Sequence, residues 1–454
     1  VPSTIGIVAS GEDVLNDAVF WVDAGRSSVV SGALSNLGTG GSALNAVFGN
    51  STGVDSFDPA LLAHTGTNYL YLPGVTGNAA SATNLASYTP SSSLQLDWDF
   101  TPSDLTAAEQ SLITHFGSAG NRGWRLSLGT TAFALVWSTD GGDVNVASQA
   151  VSFATMGVAV GVRSRGRVIL RFNNGGGVYD VRWYTVDANG NATLVETDQG
   201  AATTSIFAST QNLEIGTRTG LGIPLSAAIY RAKVTVDGTT VFDADFTTGI
   251  TSGAQTTFTE SSANAATVTI NRSTSGRKAV AVTRPILLFG TDDYLEVADN
   301  DLLDFGASDS FTVVAVVRQW ATPINFGRSI SKSAVSGAGW QMLNNGTSAI
   351  RYLTINDGTV NLNAGTANPY TLNSLAITSA VRDTVADRVT LYNGTSAQLG
   401  TTDTTTASLA NSVPMRIGQT GGGGGQSDFE LVAAAVWRRA LNANEIATIV
   451  ARYT

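Results

Sequence analysis

The sequence predicts an all-β fold, with two tandem β-sandwiches joined by a segment rich in Thr and Ser. Three observations carry that prediction. Short apolar or alternating runs recur along the chain, as where Leu94, Leu96, Trp98 and Phe100 interleave with Gln95, Asp97 and Asp99, a period of two that buries one face and wets the other. Turn pairs such as Pro73-Gly74, Asn189-Gly190, Asp237-Gly238 and Asn393-Gly394 punctuate these runs. The two halves also register against each other. The offset is 225 from Tyr69 to Tyr294, 217 from Leu94 to Phe311, 216 from Trp124 to Trp340, 208 from Tyr184 to Tyr392 and 202 from Ile215 to Ile417. An offset that drifts slowly while order is kept is what one fold written twice with different loop lengths produces.

Composition bounds the rest. A chain of 454 residues exceeds one ordinary domain, and its 43% hydrophobic content with 49 glycines suits β structure with many turns. The net charge of -10 opposes a phosphate-binding surface, so nucleic acid is not an expected partner. Without cysteine there is no disulfide framework, thiolate metal site or cysteine nucleophile. No apolar run reaches the length of a membrane span, so no membrane insertion is expected, and no leader pattern opens the sequence.

In chain order, residues 1–16 read as a polar lead. The first sandwich, 17–248, opens on the apolar run Ala18 to Ala24 and continues through Tyr69 to Leu72 and Leu94 to Phe100. Asp104 to Phe116 reads as a helix, capped by Ser103 or Asp104 and striped by Leu105, Ala108, Leu112 and Ile113. Strands resume at Trp124 to Leu128, Phe133 to Trp137, Val168 to Phe172 and Tyr179 to Val186, and close with Leu213 to Gly216, Ala228 to Val236 and Val241 to Phe246. Residues 249–284 shift to Thr, Ser, Ala and Asn, with one strand at Ala266 to Ile270, and read as a linker. The second sandwich, 285–454, repeats the plan through Tyr294 to Val297, Phe311 to Val317, Trp340 to Leu343, Ile350 to Ile355, Leu375 to Val381 and Val389 to Tyr392. It ends in strand Met415 to Ile417, a glycine run at Gly421 to Gly425, strand Phe429 to Trp437, and Asn442 with Glu445 three residues on, a capping box. No Lys-Ser/Thr follows the glycine run, which reads as a hairpin tip and not a phosphate loop.

That closing stretch, Met415-Arg416-Ile417-Gly418 through Phe429 to Trp437 and on to Ala440-Leu441-Asn442 and Glu445-Ile446, resembles the last hairpin of laminin-G-like domains in the concanavalin A-like lectin/glucanase superfamily. Trp21-Val22-Asp23-Ala24 resembles the opening strand of some of them. The resemblance implies two concanavalin A-like (jelly-roll) sandwiches. A more particular resemblance runs through LQLDWDF at Leu94 to Phe100, the strand Ile229 to Lys233 and the phrase Thr257 to Arg284, which are similar to minor tail proteins of bacteriophages that infect actinobacteria. It implies a virion protein on the phage tail or particle surface, with other tail proteins and host cell-envelope glycans as partners. Phage fibres by analogy, and the pairing tendency of edge strands, imply a homo-oligomer.

The scaffold presents surfaces more readily than it performs chemistry, so the expected function is non-enzymatic: a tail-tip or fibre-like adhesin that holds host glycans. A particle decoration protein without a sugar ligand, and a cell-wall glycan hydrolase, are the alternatives. Hydrolysis needs two carboxylates across a cleft, and the nearest pair is Asp97 and Asp99, for which a wetted outer face is the simpler reading. His64 and His115, the two histidines, stand apart from any triad pattern. For sugar contact the expected residues are Trp320, placed at a strand end beside Gln319, and Tyr352, since most other tryptophans fall in apolar alternation. The laminin-G resemblance allows one calcium at a sandwich rim, and Asp292, Asp293 and Asp299, within a run that continues to Asp301 and Asp304, are the expected ligands. Asp140 and Asp143 are a second acidic pair, in a first-sandwich turn. No other cofactor is expected.

Overall fold

The computed structural model describes residues 11–30, 33–49, 60–218, 220–274, 276–290, 292–320, 327–334, 337–345, 350–366, 371–398, 400–420 and 428–454. The glycine run at 421–425 lies outside them. The chain divides into two compact units, His64–Arg284 and Val1–Ala63 together with Pro285–Thr454.

In the His64–Arg284 unit, two antiparallel sheets share one core. The first has the order Ala192–Gln199, Asp180–Val186, Ser164–Arg171, Ser93–Pro102, Ser226–Val236, Tyr69–Pro73, Val280–Val282, with Thr239–Asp245 also paired to Ser226–Val236. The second runs Val146–Ser152, Ala132–Ser138, Arg122–Leu128, Gln110–Phe116, Leu213–Ile215, Ala79–Ala82, Thr267–Asn271, Thr257–Thr259. Side chains from both inner faces, among them Leu96, Trp98, Phe133, Trp124 and Ile215, form the core, as sandwich packing requires. Trp98 lies against Gly166, its partner on the neighbouring strand, where a Cβ would sit 2.2 Å from the indole.

The other unit repeats this arrangement around its own core, from Phe20 and Leu34 to Trp340 and Val436. Phe311–Gln319 stands between Leu375–Asp383 and Phe429–Trp437 in one sheet, and Met415–Ile417 joins Leu295–Val297 to Gly327–Ser333 in the other. The likeness extends to single atoms. Trp124 Nε1 donates to the Tyr88 carbonyl at 3.0 Å and Trp340 Nε1 donates to the Leu303 carbonyl at 3.1 Å, each acceptor ending a one-turn 3-10 helix. Buried indoles need such a partner. Four of the five registered positions fall on equivalent strands. The exception is Tyr294, because the counterpart of Tyr69–Pro73 is Ile286–Phe289, which pairs to the long strand in the same way.

The boundaries differ from the sequence reading. Residues 17–63 belong with 285–454: Phe20–Asp23 pairs with Phe429–Trp437, Ala46–Phe48 with Leu295–Val297, and Ala60–Leu62 with Ile286–Phe289. Residues 249–284 are not a linker, since Thr257–Thr259, Thr267–Asn271 and Val280–Val282 are strands of the His64–Arg284 unit. Their small polar residues cover sheet edges, and Glu260 is buried there as acceptor for the Asp243, Ser262 and Ala266 N–H groups at 2.9, 2.6 and 2.9 Å. Within the polar lead, Gly11–Asn16 is a short helix.

Asp104 to Phe116 is likewise not a helix. Asp104 accepts from the Thr106 N–H at 2.7 Å in a turn, and Gln110–Phe116 is a strand buried throughout. Burial of both faces erases the period of two that marks a half-exposed strand. The capping box does form: Asn442 Oδ1 accepts from Asn444 and Glu445 N–H at 3.0 and 3.1 Å, Glu445 Oε2 accepts from Asn442 N–H at 2.8 Å, and the helix Ala443–Tyr453 buries Ile446, Ile449 and Val450.

His115, at 0% exposure on Gln110–Phe116, has Nε2 2.8 Å from Asn84 Oδ1. Burial lowers its pKa to about 4, against the opposing pull of a hydrogen bond with the Gln211 backbone. The unfolded chain takes up this proton near the ordinary value of about 6.5, so stability falls as pH drops from about 6.5 to about 4 and then levels, by on the order of 3 kcal/mol. Urea unfolding followed by tryptophan fluorescence at pH 7 and pH 4.5 should show a larger acid loss for the natural chain than for His115→Gln. Equal losses would remove His115 as the source.

Candidate functional site

The strongest concentration of functional groups lies on the outer face of the first sheet of the His64–Arg284 unit. Ser93–Pro102 alternates strictly, so Leu94, Leu96, Trp98 and Phe100 point into the core and Gln95, Asp97 and Asp99 outward. Its neighbours carry cations at the facing positions. Arg165 and Arg167 of Ser164–Arg171 stand opposite Asp99 and Asp97, and across the other edge Arg231 and Lys233 of Ser226–Val236 stand opposite the same two acids. One strand further, Asp245 and Asp243 face Arg231 and Lys233. The result is a checkerboard in which every acid has a base on the adjacent strand. Opposite charges at facing sheet positions stabilise the pairing.

A bulge sharpens the arrangement. The register slips between Ile229 and Arg231, which places Tyr230 and Arg231 together off the core side. Arg163 lies over the Tyr230 ring with its guanidinium carbon 3.6 Å from the centroid, and its Nε and Nη2 each donate to Asp99 at 2.7 Å. Arg165 Nε donates to Asp99 Oδ2 at 2.8 Å, Arg167 Nε to Asp97 Oδ1 at 2.6 Å, and Gln95 Nε2 to Asp97 Oδ2 at 2.7 Å. Arg231 forms a two-pronged pair with Asp243 at 2.7 and 2.5 Å. Hydrogen bonding to Asp243 outweighs burial and raises the pKa of Arg231.

These residues line a groove of about 420 Å³ whose far wall is the turn Val186 to Gly190. Asp187 holds that turn, accepting from Asn189 and Asn191 N–H at 2.9 and 2.8 Å, and the Asn191 side-chain hydrogen bond, with the backbone ones, lowers its pKa. Asp245 Oδ1 accepts from Thr247 N–H and Oγ1 at 2.9 and 2.6 Å. Both oxygens of Asp97 and of Asp99 are thus engaged by cation or amide donors. They act as anchors that orient guanidinium groups, a role unlike that of an acid awaiting a proton or a nucleophile facing a bond. The Nη groups of Arg165 and Arg167 and the Lys233 ammonium have no hydrogen-bond partner among the described residues and remain as donors. A hydroxyl that both donates and accepts finds complementary groups a few ångströms apart on such a surface.

The residues expected from sequence lie elsewhere. Trp320 is only 7% exposed, with the Arg318 guanidinium 5.5 Å from its ring centroid, so it offers no stacking face. Tyr352 is half-buried on Ile350–Asn356, in the sheet opposite the strand that Trp320 follows. All eight tryptophans are buried: Trp21, Trp98, Trp124, Trp137, Trp183, Trp320, Trp340 and Trp437. Nor are the acids gathered. Asp292 is exposed, Asp293 is buried and accepts from Gly290 N–H at 2.6 Å, and Asp299 pairs with Lys332 at 2.6 Å. The Lys332 side chain, at 0% exposure, also meets Asp304 at 3.0 Å and the carbonyls of Asn411 and Val413 at 3.0 Å each. An ammonium therefore sits between Asp299 and Asp304, and no group of three Asp, Glu, His or Cys side chains among the described residues is placed to hold a metal ion. In the other acidic pair, Asp140 organises its own turn, with Gly142 N–H at 2.8 Å and Asn145 Nδ2 at 2.6 Å, while Asp143 pairs with Arg122.

Sequence reasoning noticed Asp97 and Asp99 but not their partners. The signal was present: Arg163, Arg165 and Arg167, then Arg231 and Lys233, then Asp243 and Asp245 each recur at a period of two. Only the register sets them side by side.

Residues 289–447 match the model of the concanavalin A-like lectin/glucanases superfamily. No curated protein matches the chain. Among solved structures, domains LG4-5 of the mouse laminin alpha1 chain align over 86% of this chain and 96% of that one at 10% identity and a TM-score of 0.28. The botulinum neurotoxin serotype G binding domain aligns over 44% and 51% at 11% identity and a TM-score of 0.32. The binding domain of Paraclostridial Mosquitocidal Protein 1 aligns over 45% and 51% at 14% identity and a TM-score of 0.32. The chain spans about half the length of these two binding domains.

Lys332→Met should destabilise the protein by about 2–3 kcal/mol, since it leaves the partly buried Asp304 and the carbonyls of Asn411 and Val413 without their buried cation. Millimolar calcium should not restore the melting temperature. Recovery on adding calcium would return the acidic run to the status of a metal site.

Proposed function

We propose that this chain is a non-enzymatic virion protein of a bacteriophage, a minor tail protein whose sandwiches meet glycans of the host cell envelope, and that the groove on the outer face of the His64–Arg284 unit is the sugar-contacting surface. The observation that carries the reading is the checkerboard of Asp97, Asp99, Arg165, Arg167, Arg231 and Lys233, which presents alternating acceptors and donors on three adjacent strands. Strands lie about 4.8 Å apart, so donors and acceptors on neighbouring strands can reach different hydroxyls of one sugar. Side chains fixed by ion pairs lose little freedom on binding. Recognition on this surface is polar, with the Tyr230 ring held against the cation cluster by Arg163.

Engagement of all four oxygens of Asp97 and Asp99 supports display over hydrolysis. The phage assignment draws on the similarity of Leu94 to Phe100, Ile229 to Lys233 and Thr257 to Arg284 to tail proteins.

Substituting the free donors tests the glycan reading. Arg165→Ala, Arg167→Ala and Lys233→Ala together should lower retention on purified host cell wall by about tenfold or more, a loss of about 1.4 kcal/mol or more, in a variant that circular dichroism shows still folded although loss of the pairs to Asp97 and Asp99 lowers its melting temperature. Unchanged retention in the folded triple variant would remove the groove from the role. Electron microscopy of the intact particle tests the tail position, and density over the capsid shell would refute it.

A further inference from the structure

The outer face of the second sheet differs between the two units at equivalent positions. Trp124 and Trp340 set the correspondence, since each is buried in its own core and donates to a 3-10 turn carbonyl in the same way. The residues that follow them are Arg125 and Gln341, whose partners on the next strand are Val136 and Thr354. On the preceding strand Trp124 faces His115 and Trp340 faces Lys332, so Phe116 corresponds to Ser333. Val146, opposite Ser138, corresponds to Asn361, opposite Asn356.

In the His64–Arg284 unit this place is filled. Phe116 is 2% exposed, and the guanidinium carbons of Arg122, Arg125 and Arg218 stand 5.5, 5.1 and 4.7 Å from its ring centroid. In the other unit a hydroxyl replaces the ring and an amide replaces the Arg125 guanidinium. A cavity of about 280 Å³ opens there, with Ser333, Gly339, Gln341, Thr354, Asn356 and Asn361 in its walls. Gly339 contributes no side chain to it, and a Cβ at that position would stand 2.1 Å from the Lys332 carbonyl oxygen.

The lining is polar without being charged. No Asp, Glu, Lys, Arg or His is among the described residues that line the cavity, so neither a cation nor an anion meets a counter-charge. An apolar ligand would strip water from the amides and hydroxyls without replacing its hydrogen bonds. The walls use only part of their own capacity. Ser333 Oγ donates to the Ala334 carbonyl and Thr354 Oγ1 to Asn363 Oδ1, each at 2.7 Å, while Gln341 Oε1 accepts from Arg328 Nε at 3.2 Å and Asn356 Oδ1 from Gly358 N–H at 2.8 Å. The NH2 groups of Gln341 and Asn356 and the whole Asn361 amide have no hydrogen-bond partner among the described residues. Gln341 is only 8% exposed, so its NH2 has the cavity, and little bulk solvent, to turn to.

We propose that this cavity is a second ligand site, one that takes an uncharged sugar ring. A sugar hydroxyl both donates and accepts, and a carboxamide presents a donor and an acceptor side by side. The volume lies just below the roughly 300 Å³ at which pockets for drug-sized ligands begin, which suits a single ring. A polar cavity of this size is wetted, and hydroxyls can take over the hydrogen bonds of the waters they displace. The cavity and the charged groove belong to different units, so this inference stands whether or not the groove binds glycan.

Saturation-transfer NMR on the full chain, with glucose, galactose, mannose and N-acetylglucosamine added in turn, tests the proposal. At least one of the four should bind saturably. Asn361→Ala and Thr354→Val, each shown by circular dichroism to be folded, should weaken that binding by about threefold to tenfold, the size of one lost hydrogen bond. The triple alanine variant at Arg165, Arg167 and Lys233 should bind the same sugar as the natural chain does, and glucuronate should not displace it. Binding of none of the four sugars overturns the proposal, as does binding that both cavity variants leave unchanged. Loss of binding in the triple variant, or displacement by glucuronate, overturns it equally.

Discussion

In each unit the second edge of one long strand is divided between two short ones. Ser226–Val236 pairs along one side with Ser93–Pro102, and on the other with Tyr69–Pro73 at one end and Thr239–Asp245 at the opposite end. Phe429–Trp437 likewise has Phe311–Gln319 on one side and shares the other between Ile286–Phe289 and Phe20–Asp23. A backbone edge this deep in a sandwich cannot be left to water, and each unpaired N–H or C=O would cost a buried hydrogen bond. The requirement that both ends of that edge be filled draws residues near position 20 onto residues near 436. The polar stretch after residue 249 becomes sheet by extending other strands, Thr267–Asn271 on Ala79–Ala82 and Val280–Val282 on Tyr69–Pro73.

The charged groove follows from the same closure. With Leu94, Leu96, Trp98 and Phe100 committed to the core and Gly166 giving the Trp98 indole room, the intervening side chains of three strands are forced onto one outer surface. Charges can be dense there because each is matched across the strand and keeps contact with solvent. The cost of exposing like charges to each other is avoided by register. The terminal unit solves a different problem with the same chemistry. Its Arg382 is at 0% exposure and spends its donors on Asp403, Thr405 and the carbonyls of Gly306, Ala307 and Asp309. Lys332 is surrounded just as closely. Those cations knit loops to strands, whereas the cations of the groove face outward.

Much of the fold was legible in the linear order of residues. Period-two alternation at Leu94 to Phe100, the glycine turns and the Asn442 to Glu445 box are local signals. Each depends on neighbours a few residues apart, so sequence by itself determined the β class, the doubled plan and the capped terminal helix. Gln110–Phe116 lost its alternation to burial on both faces and imitated a helix. The pairing of Phe20 with Val436 and of Asp97 with Arg167 and Lys233 is a matter of register between distant strands, and a one-residue slip would reverse every side chain. For the same reason the burial of Trp320 and the capture of Asp299 by Lys332 were decided only in the tertiary structure, where the neighbours that exclude water or supply a charge arrive from elsewhere in the chain.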